Sequence, residues 1–199
     1  MNMALGSASP ARTKRLAGAP GVWLFVALDS TIFAILFLSF TLDKMKAKGE
    51  FTLGIASLDT HLGTLNTLIL LTSSCLAALA AAEAKHPTAR IGQIKACLLG
   101  AVALGVVFVG LKITEYRHVV AGGHGLNSST FHMYYFVTTG LHLLHVLIGI
   151  AALSLVATQA LKPSVPAAPI IVESAATYWH MVDFLWVMIF PLFYLAVPS

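Results

Sequence analysis

The stretch that decides the fold is residues 131–158, FHMYYFVTTGLHLLHVLIGIAALSLVAT. It runs for 28 residues without one Asp, Glu, Lys or Arg. A helix rises 1.5 Å per residue, so about 20 residues cross the ~30 Å of hydrocarbon in a bilayer. A transmembrane strand would be shorter and would alternate in polarity. The run therefore reads as a membrane-spanning helix. Working outward from it, four more runs have the same character: Gly21–Leu42, Leu62–Ala82, Gly92–Ile113 and Tyr178–Val197, of 22, 21, 22 and 20 residues.

Composition agrees. Of 199 residues, 58% are apolar and 10% charged, where a soluble domain carries about 25% charged residues. Mean hydropathy is +0.85. Such a chain is too apolar for disorder, and one core in so short a chain cannot hide that much apolar surface. The pieces between the runs are too short to bury a core of their own, so no separate catalytic module is expected. The expected fold class is all-α: an integral membrane five-helix bundle, with residues 1–20 a disordered cytoplasmic tail and 21–199 one transmembrane domain.

Orientation follows from Lys and Arg. Arg12, Lys14, Arg15, Lys85, Arg90, Lys95 and Lys162 fall on one side, and Lys44, Lys46, Lys48, Lys112 and Arg117 on the other. The bias places the N-terminus in the cytoplasm and the C-terminus outside. The net charge of +4 then reads as anchoring against acidic lipid, not as nucleic-acid binding. The first apolar run follows a cationic stretch, but it is long for a signal peptide and no small-x-small cleavage site follows it, so it reads as a retained helix. Gly122-Gly123-His124-Gly125 is a turn signal. Asn127-Ser128-Ser129-Thr130 offers hydroxyls to cap the next helix. The segment Pro163-Ser-Val-Pro166-Ala-Ala-Pro169 reads as an extended connector. Cys75 and Cys97, without a CxxC spacing, read as small packed hydrophobes.

Chemistry should reside in the ionisable residues inside apolar runs, each costly unless it is paired or faces a polar interior. Asp29 lies in the first run, His142 and His145 in the fourth, His180 and Asp183 early in the fifth, and Lys112 and Glu115 at the end of the third. His142 and His145, His180 and Asp183, and Lys112 and Glu115 are each i, i+3 and share a helix face. A pair joining Asp29 to a histidine would neutralise both charges or share one proton. Three chemistries suit the histidines: haem or metal ligation, for which His145 and His180 are the candidates on separate helices; a His–Asp proton relay; and structural interhelical hydrogen bonding. A small membrane b-type cytochrome and a proton-coupled transporter using Asp29 and Asp183 therefore stand as alternative functions, although no broken midplane helix of the transporter kind is visible.

The motifs, taken in order, resemble subunit III of the haem-copper oxidase superfamily, the cytochrome c oxidase subunit III family. Gly21-Val-Trp23-Leu-Phe25 followed by Asp29 is similar to G-x-W-x-F and an intramembrane acid. Leu65-Asn66-Thr67 through Leu71-Thr-Ser73-Ser74 is similar to L-N-T-x-x-L-L-x-S-S, and Lys112-Ile-Thr-Glu115-Tyr116 to Q-x-x-E-Y. Thr139-Gly140-Leu-His142-Leu-Leu-His145-Val146 through Gly149 is similar to T-G-x-H-x-x-H-V-x-x-G. Glu173 and Tyr178-Trp179-His180-Met-Val182-Asp183 through Trp186 are similar to E…Y-W-H-F-V-D-x-x-W. The length resembles the short five-helix bacterial form.

The resemblance implies a non-catalytic subunit that supports assembly and proton uptake and holds phospholipid in a cleft between helices. It implies no haem or metal bound by the chain itself; haem and copper or iron belong to a partner, the catalytic subunit I of an oxidase or nitric oxide reductase. It implies a bacterial inner-membrane location. Asp29, His142, His145, His180 and Asp183 become candidates for a proton and lipid cleft, and Lys112 with Glu115 a polar pair near the outer surface. Asp29 after Leu28, where the family has Glu after Ser, and Lys112, where it has Gln, resemble the nitric-oxide-reductase accessory branch.

Overall fold

The structure is a computed structural model and describes residues 18–159 and 169–195. Its elements are α1 (Pro20–Lys46), α2 (Lys48–Ala56), α3 (Thr60–Ala84), α4 (Ile91–Ala121), α5 (Thr130–Gln159) and α6 (Pro169–Phe190), which continues into a π-helical turn, Pro191–Leu195. There is no strand among the described residues. Among the described residues, five helices are long and apolar enough to cross a membrane, the last counted as Pro169–Leu195.

Local chemistry sets the helix ends. Pro20 and Pro169 each open a helix, where a missing N–H costs nothing and the fixed φ suits the first turn. The Asp59 carboxylate accepts from the His61 and Leu62 backbone N–H groups at 2.8 and 3.2 Å and caps α3. The Ser129 hydroxyl accepts from the His132 N–H at 3.2 Å at the head of α5. After α4, Gly123 takes φ +83°, a conformation glycine adopts without strain.

The structure departs from the hydropathy reading in several places, among them the end of α1 at Lys46, a turn past Leu42. The fourth helix element runs to Ala121, two turns past Ile113, because Arg117 and His118 are polar but good enough helix residues to continue it. The last helix starts at Pro169, nine residues before Tyr178, since Pro is permitted at a first turn; Asp183 is accordingly central in it, not early. The short helix α2 lies in what hydropathy gave as a loop; at nine residues it is too short to register as a span. The tail up to residue 17, with Arg12, Lys14 and Arg15, and the Pro-rich connector with Lys162 lie outside the described residues.

Helices α3 to α6 form a closed ring in which each packs on its two neighbours, and α1 leans on α5 and α6 from outside. Of its 27 residues α1 buries only Asp29, Phe33 and Phe40, which fall on one stripe; Leu24, Leu28, Ile35 and Leu38 point outward. Lipid gives no hydrophobic drive between helices, so packing depends on close approach and hydrogen bonds. Trp179 of α6 supplies both at the centre. Its indole N–H donates to Ser73 Oγ at 3.0 Å, and Ser73 donates to the Ala101 carbonyl at 2.9 Å, tying α6 to α3 and α4. A Cβ on Gly149 would sit 2.5 Å from the Trp179 ring and one on Gly105 2.9 Å from it. Both glycines make room for that indole. Cys75 is exposed and Cys97 half-buried, so Cys75 faces outward and is not packed inside as its apolarity suggested.

Candidate functional site

Three polar clusters are built into this bundle. The first joins α1 to α5. Asp29 occupies the one inward stripe of α1, and its Oδ1 lies 3.0 Å from His145 Nε2. His145 Nδ1 is 2.8 Å from the Leu141 carbonyl one turn back. A carbonyl only accepts, so Nδ1 carries a hydrogen, and the Nε2–Oδ1 contact then holds a single proton between base and acid. Aromatic walls surround the pair: the Phe33 ring meets His145 edge-on at 5.9 Å, and Phe25 lies at 6.3 Å. Tyr178 donates to the His145 carbonyl at 3.2 Å. Asp29 Oδ2 has no hydrogen bond among the described residues.

The second cluster corrects an expectation. Lys112 and Glu115, expected near the outer surface, are 0% and 2% exposed. They lie on the inward face of α4, in line with Ala101, Gly105 and Phe108, and α4 continues beyond them. Lys112 Nζ donates to Glu115 Oε2 at 3.2 Å, to Tyr135 OH at 3.0 Å and to Tyr194 OH at 2.7 Å, which uses all three ammonium hydrogens. Tyr135 OH in turn donates to Glu115 Oε1 at 2.8 Å, as does Tyr194 OH. Lys112 also lies 4.7 Å from the Tyr135 ring centroid and 5.1 Å from that of Trp186, where ring quadrupoles attract a cation. Every donor and acceptor is matched, the condition under which a buried ion pair is tolerable. The π-helical turn after α6 carries Tyr194 into this network; one extra residue per turn re-aims a side chain.

The third cluster lies between α3 and α6. Ser74 Oγ is 2.6 Å from His180 Nδ1. Ser74 also stands beside the Asp183 carboxyl; its Oγ contacts His180 Nδ1, where either atom can be the donor, and neither Asp183 oxygen makes a hydrogen bond among the described residues. His142 is buried against Phe108 and Trp186, with ring centroids at 5.9 and 5.3 Å, and both its nitrogens lack a partner there. Thus the i, i+3 pair His142 and His145 divides: one ring turns into the bundle and the other toward α1. The two intramembrane acids divide as well. Asp183 and Tyr178 are five residues apart on α6, about 140° round the helix; Tyr178 faces the Asp29–His145 pair, whereas Asp183 faces α3.

Reading the sequence for ionisable groups missed Asn66, Ser74, Tyr135, Tyr194 and Trp186. The phenols could have been found by asking what satisfies three hydrogens on a buried lysine. Asn66, fully buried with both amide atoms unpartnered among the described residues, is polar within an apolar run and carried that signal. No group of three or more His, Cys, Asp or Glu side chains is placed to hold a metal ion among the described residues.

Two clefts flank α6 and share Thr177 and His180. One, of about 410 Å³, lies against α1 and is lined by Trp23, Val26, Ser30, Met181 and Phe184. The other, of about 440 Å³, lies against α3, with Lys85 and Glu173 among its lining, paired at 2.5 Å.

Comparison with known proteins matches residues 5–197 to a family model described as cytochrome c oxidase subunit III. The chain is 32% identical over 177 residues to the cytochrome bo(3) ubiquinol oxidase subunit 3 of Pseudomonas aeruginosa, covering 88% of this chain and 83% of that one. It is 30% identical over 179 residues to the quinol oxidase subunit 3 of Bacillus subtilis, covering 88% and 85%. It is also 28% identical over 181 residues to the heme-copper oxidase subunit I+III of Aeropyrum pernix; there it covers 87% of this chain but spans only 22% of the relative's length.

Proposed function

This chain belongs to the cytochrome c oxidase subunit III family, and on that footing we propose that it is the non-catalytic subunit III of a respiratory haem-copper complex, docked on the haem-bearing catalytic subunit I. It is a multi-pass membrane protein. The observation that carries the reading is the match along nearly the whole chain to proteins named as subunit 3 of oxidases; the relative named subunit I+III, which joins the two in one chain, supports the choice of partner. In this reading the chain lies in the bacterial inner membrane with its N-terminus cytoplasmic, and it holds no haem or metal of its own. Both His145 nitrogens are engaged, by Asp29 and by the Leu141 carbonyl, which counts against the His145–His180 pair as haem ligands.

The Asp29–His145 pair supplies a site where one proton is held and exchanged near the partner's uptake path. The cleft between α1 and α6, walled by Trp23, Val26, Met181 and Phe184, suits the acyl chain of a phospholipid. A nitric-oxide-reductase type of partner is a second reading, which rests on the resemblance of Asp29 and Lys112 to that branch of the family.

The test is purification of the tagged chain from native membranes. Subunit I should accompany it, and its haem spectrum names the complex as oxidase or nitric oxide reductase. The chain expressed alone should show no stoichiometric Soret band; finding one would sink the proposal in favour of a b-type cytochrome. Asp29→Asn should still co-purify with a fully haem-loaded partner while proton-linked turnover changes.

A further inference from the structure

The buried acid Asp183 is not used by the Asp29–His145 pair and faces the other side of α6. Its surroundings follow from the register of two antiparallel helices. Ser73 meets Trp179, Ser74 meets His180, and Thr67 accepts from the Trp186 indole N–H at 3.0 Å. In that register Asp183 falls opposite Leu70, with Ser74 one turn to one side and Asn66 one turn to the other. Asn66, Leu70, Ser73 and Ser74 share one face of α3. Asp183 is 4% exposed and Asn66 0%, and none of their side-chain polar atoms has a hydrogen bond among the described residues. Two unpartnered polar groups on facing sides of one seam call for a physical reason, because an unpaired charge or dipole in a membrane span is costly.

The seam opens at one end. The cleft of about 440 Å³ between α3 and α6 is floored by His180 and walled by small side chains such as Ala81 and Ala176, and the Lys85–Glu173 ion pair stands at its rim. His180 is therefore reached from the cleft on one side and bonded to Ser74 on the other, and Ser74 stands beside Asp183.

We propose that this cleft is a proton entry serving Asp183 through His180 and Ser74, a route separate from the Asp29–His145 pair. A proton from cleft water binds His180 Nε2 as Nδ1–H passes its proton to Ser74 Oγ, and the Ser74 hydroxyl gives its own to the Asp183 carboxylate. One proton enters and one arrives, with no electron moved, and the His180 ring ends in its other neutral tautomer. The bound proton cancels the charge that nothing else at the seam opposes. Asn66 is placed to hold a water at the inner end. The charged or titratable groups facing the route are Lys85 beyond α3 and Glu173 and His180 on α6; Asp29 and His145 lie round α6 on the side of Tyr178.

The route deepens the proton-handling role proposed above and rests on it for its biological use, but its test is independent of the partner. The full chain in lipid nanodiscs is examined by infrared spectroscopy on transfer from H2O to D2O, with Asp183→Asn as the difference. A carboxylic-acid band that vanishes in Asp183→Asn and shifts promptly in D2O is expected. Ser74→Ala, which deletes one relay hydrogen bond, and Ala81→Phe, which fills the cleft, should each slow the shift about tenfold. Asp29→Asn should leave it unchanged. Absence of the band, or an equally fast shift in both slowed variants, overturns the route, and does so whether or not the chain co-purifies with a haem subunit.

Discussion

At the scale of single residues, the buried polar groups differ in how completely they are matched. Lys112 is enclosed by four rings and bonded to three oxygens. Removing one partner of such a pair strands the other charge, whereas replacing both by apolar groups of similar volume is often neutral or stabilising. Lys112→Met is therefore expected to lower stability by about 3–5 kcal/mol, because Glu115 is left with two phenols and no cation. Lys112→Met with Glu115→Leu should recover a large part of that loss. Unfolding in mixed micelles, followed by circular dichroism, measures both. A double variant no more stable than the single one would show that the ion pair itself, and not the stranded charge, carries the effect. Asp29 and His145 are the contrasting case: a two-centre pair with one carboxylate oxygen still unpartnered among the described residues, suited to exchange where the lysine network is suited to locking.

At the scale of elements, the bundle turns on α6, which buries ten residues and packs on α1, α3 and α5, with Trp179 reaching across to Gly105 of α4. Trp179 is its anchor, and Gly149 and Gly105 are the space left for it. Gly149→Leu would drive a side chain into the indole, and overpacking of this kind costs about 1–3 kcal/mol. The expected signature is a loss of stability with a changed Trp emission, since the ring must leave its bond to Ser73. Gly140, where an added Cβ meets nothing within 4 Å, is the control on the same helix: Gly140→Ala should be neutral or slightly stabilising, as alanine is the better helix residue.

At the scale of the whole molecule, burial changes the charge arithmetic of orientation. Lys112, counted by sequence position among the five cations of one side, lies inside the bundle. Four remain there, Lys44, Lys46, Lys48 and Arg117, against the seven of the other side. The positive-inside bias is thereby stronger than the count by sequence position gave. A reporter active only in the cytoplasm should work when fused at the N-terminus and fail when inserted at Gly123; the opposite pattern would reverse the topology and put the Lys85–Glu173 rim on the outside.

By itself the sequence determined that the chain holds five apolar runs of membrane-spanning length, and its ordered motifs pointed to the family. Both are properties of apolar length and residue order along one dimension. The span of residues 131–158 needed no partner to be recognised, since 28 residues without a formal charge leave few alternatives. The shared faces of His142 with His145 and of His180 with Asp183 were legible too, because helical periodicity is local. Their partners were not. Whether His145 meets Asp29, whether His142 meets only aromatic rings among the described residues, and whether Lys112 and Glu115 face outward or inward depend on how α1, α4, α5 and α6 rotate against one another. Trp179 seated between two glycines, the hydrogen bonds at Ser73, Ser74 and Thr67, and the π-helical turn that aims Tyr194 set that rotation. Only the tertiary structure decided them, because in lipid every face of a span is apolar enough to be outside, and close packing with polar matching, not hydrophobicity, selects which face is in.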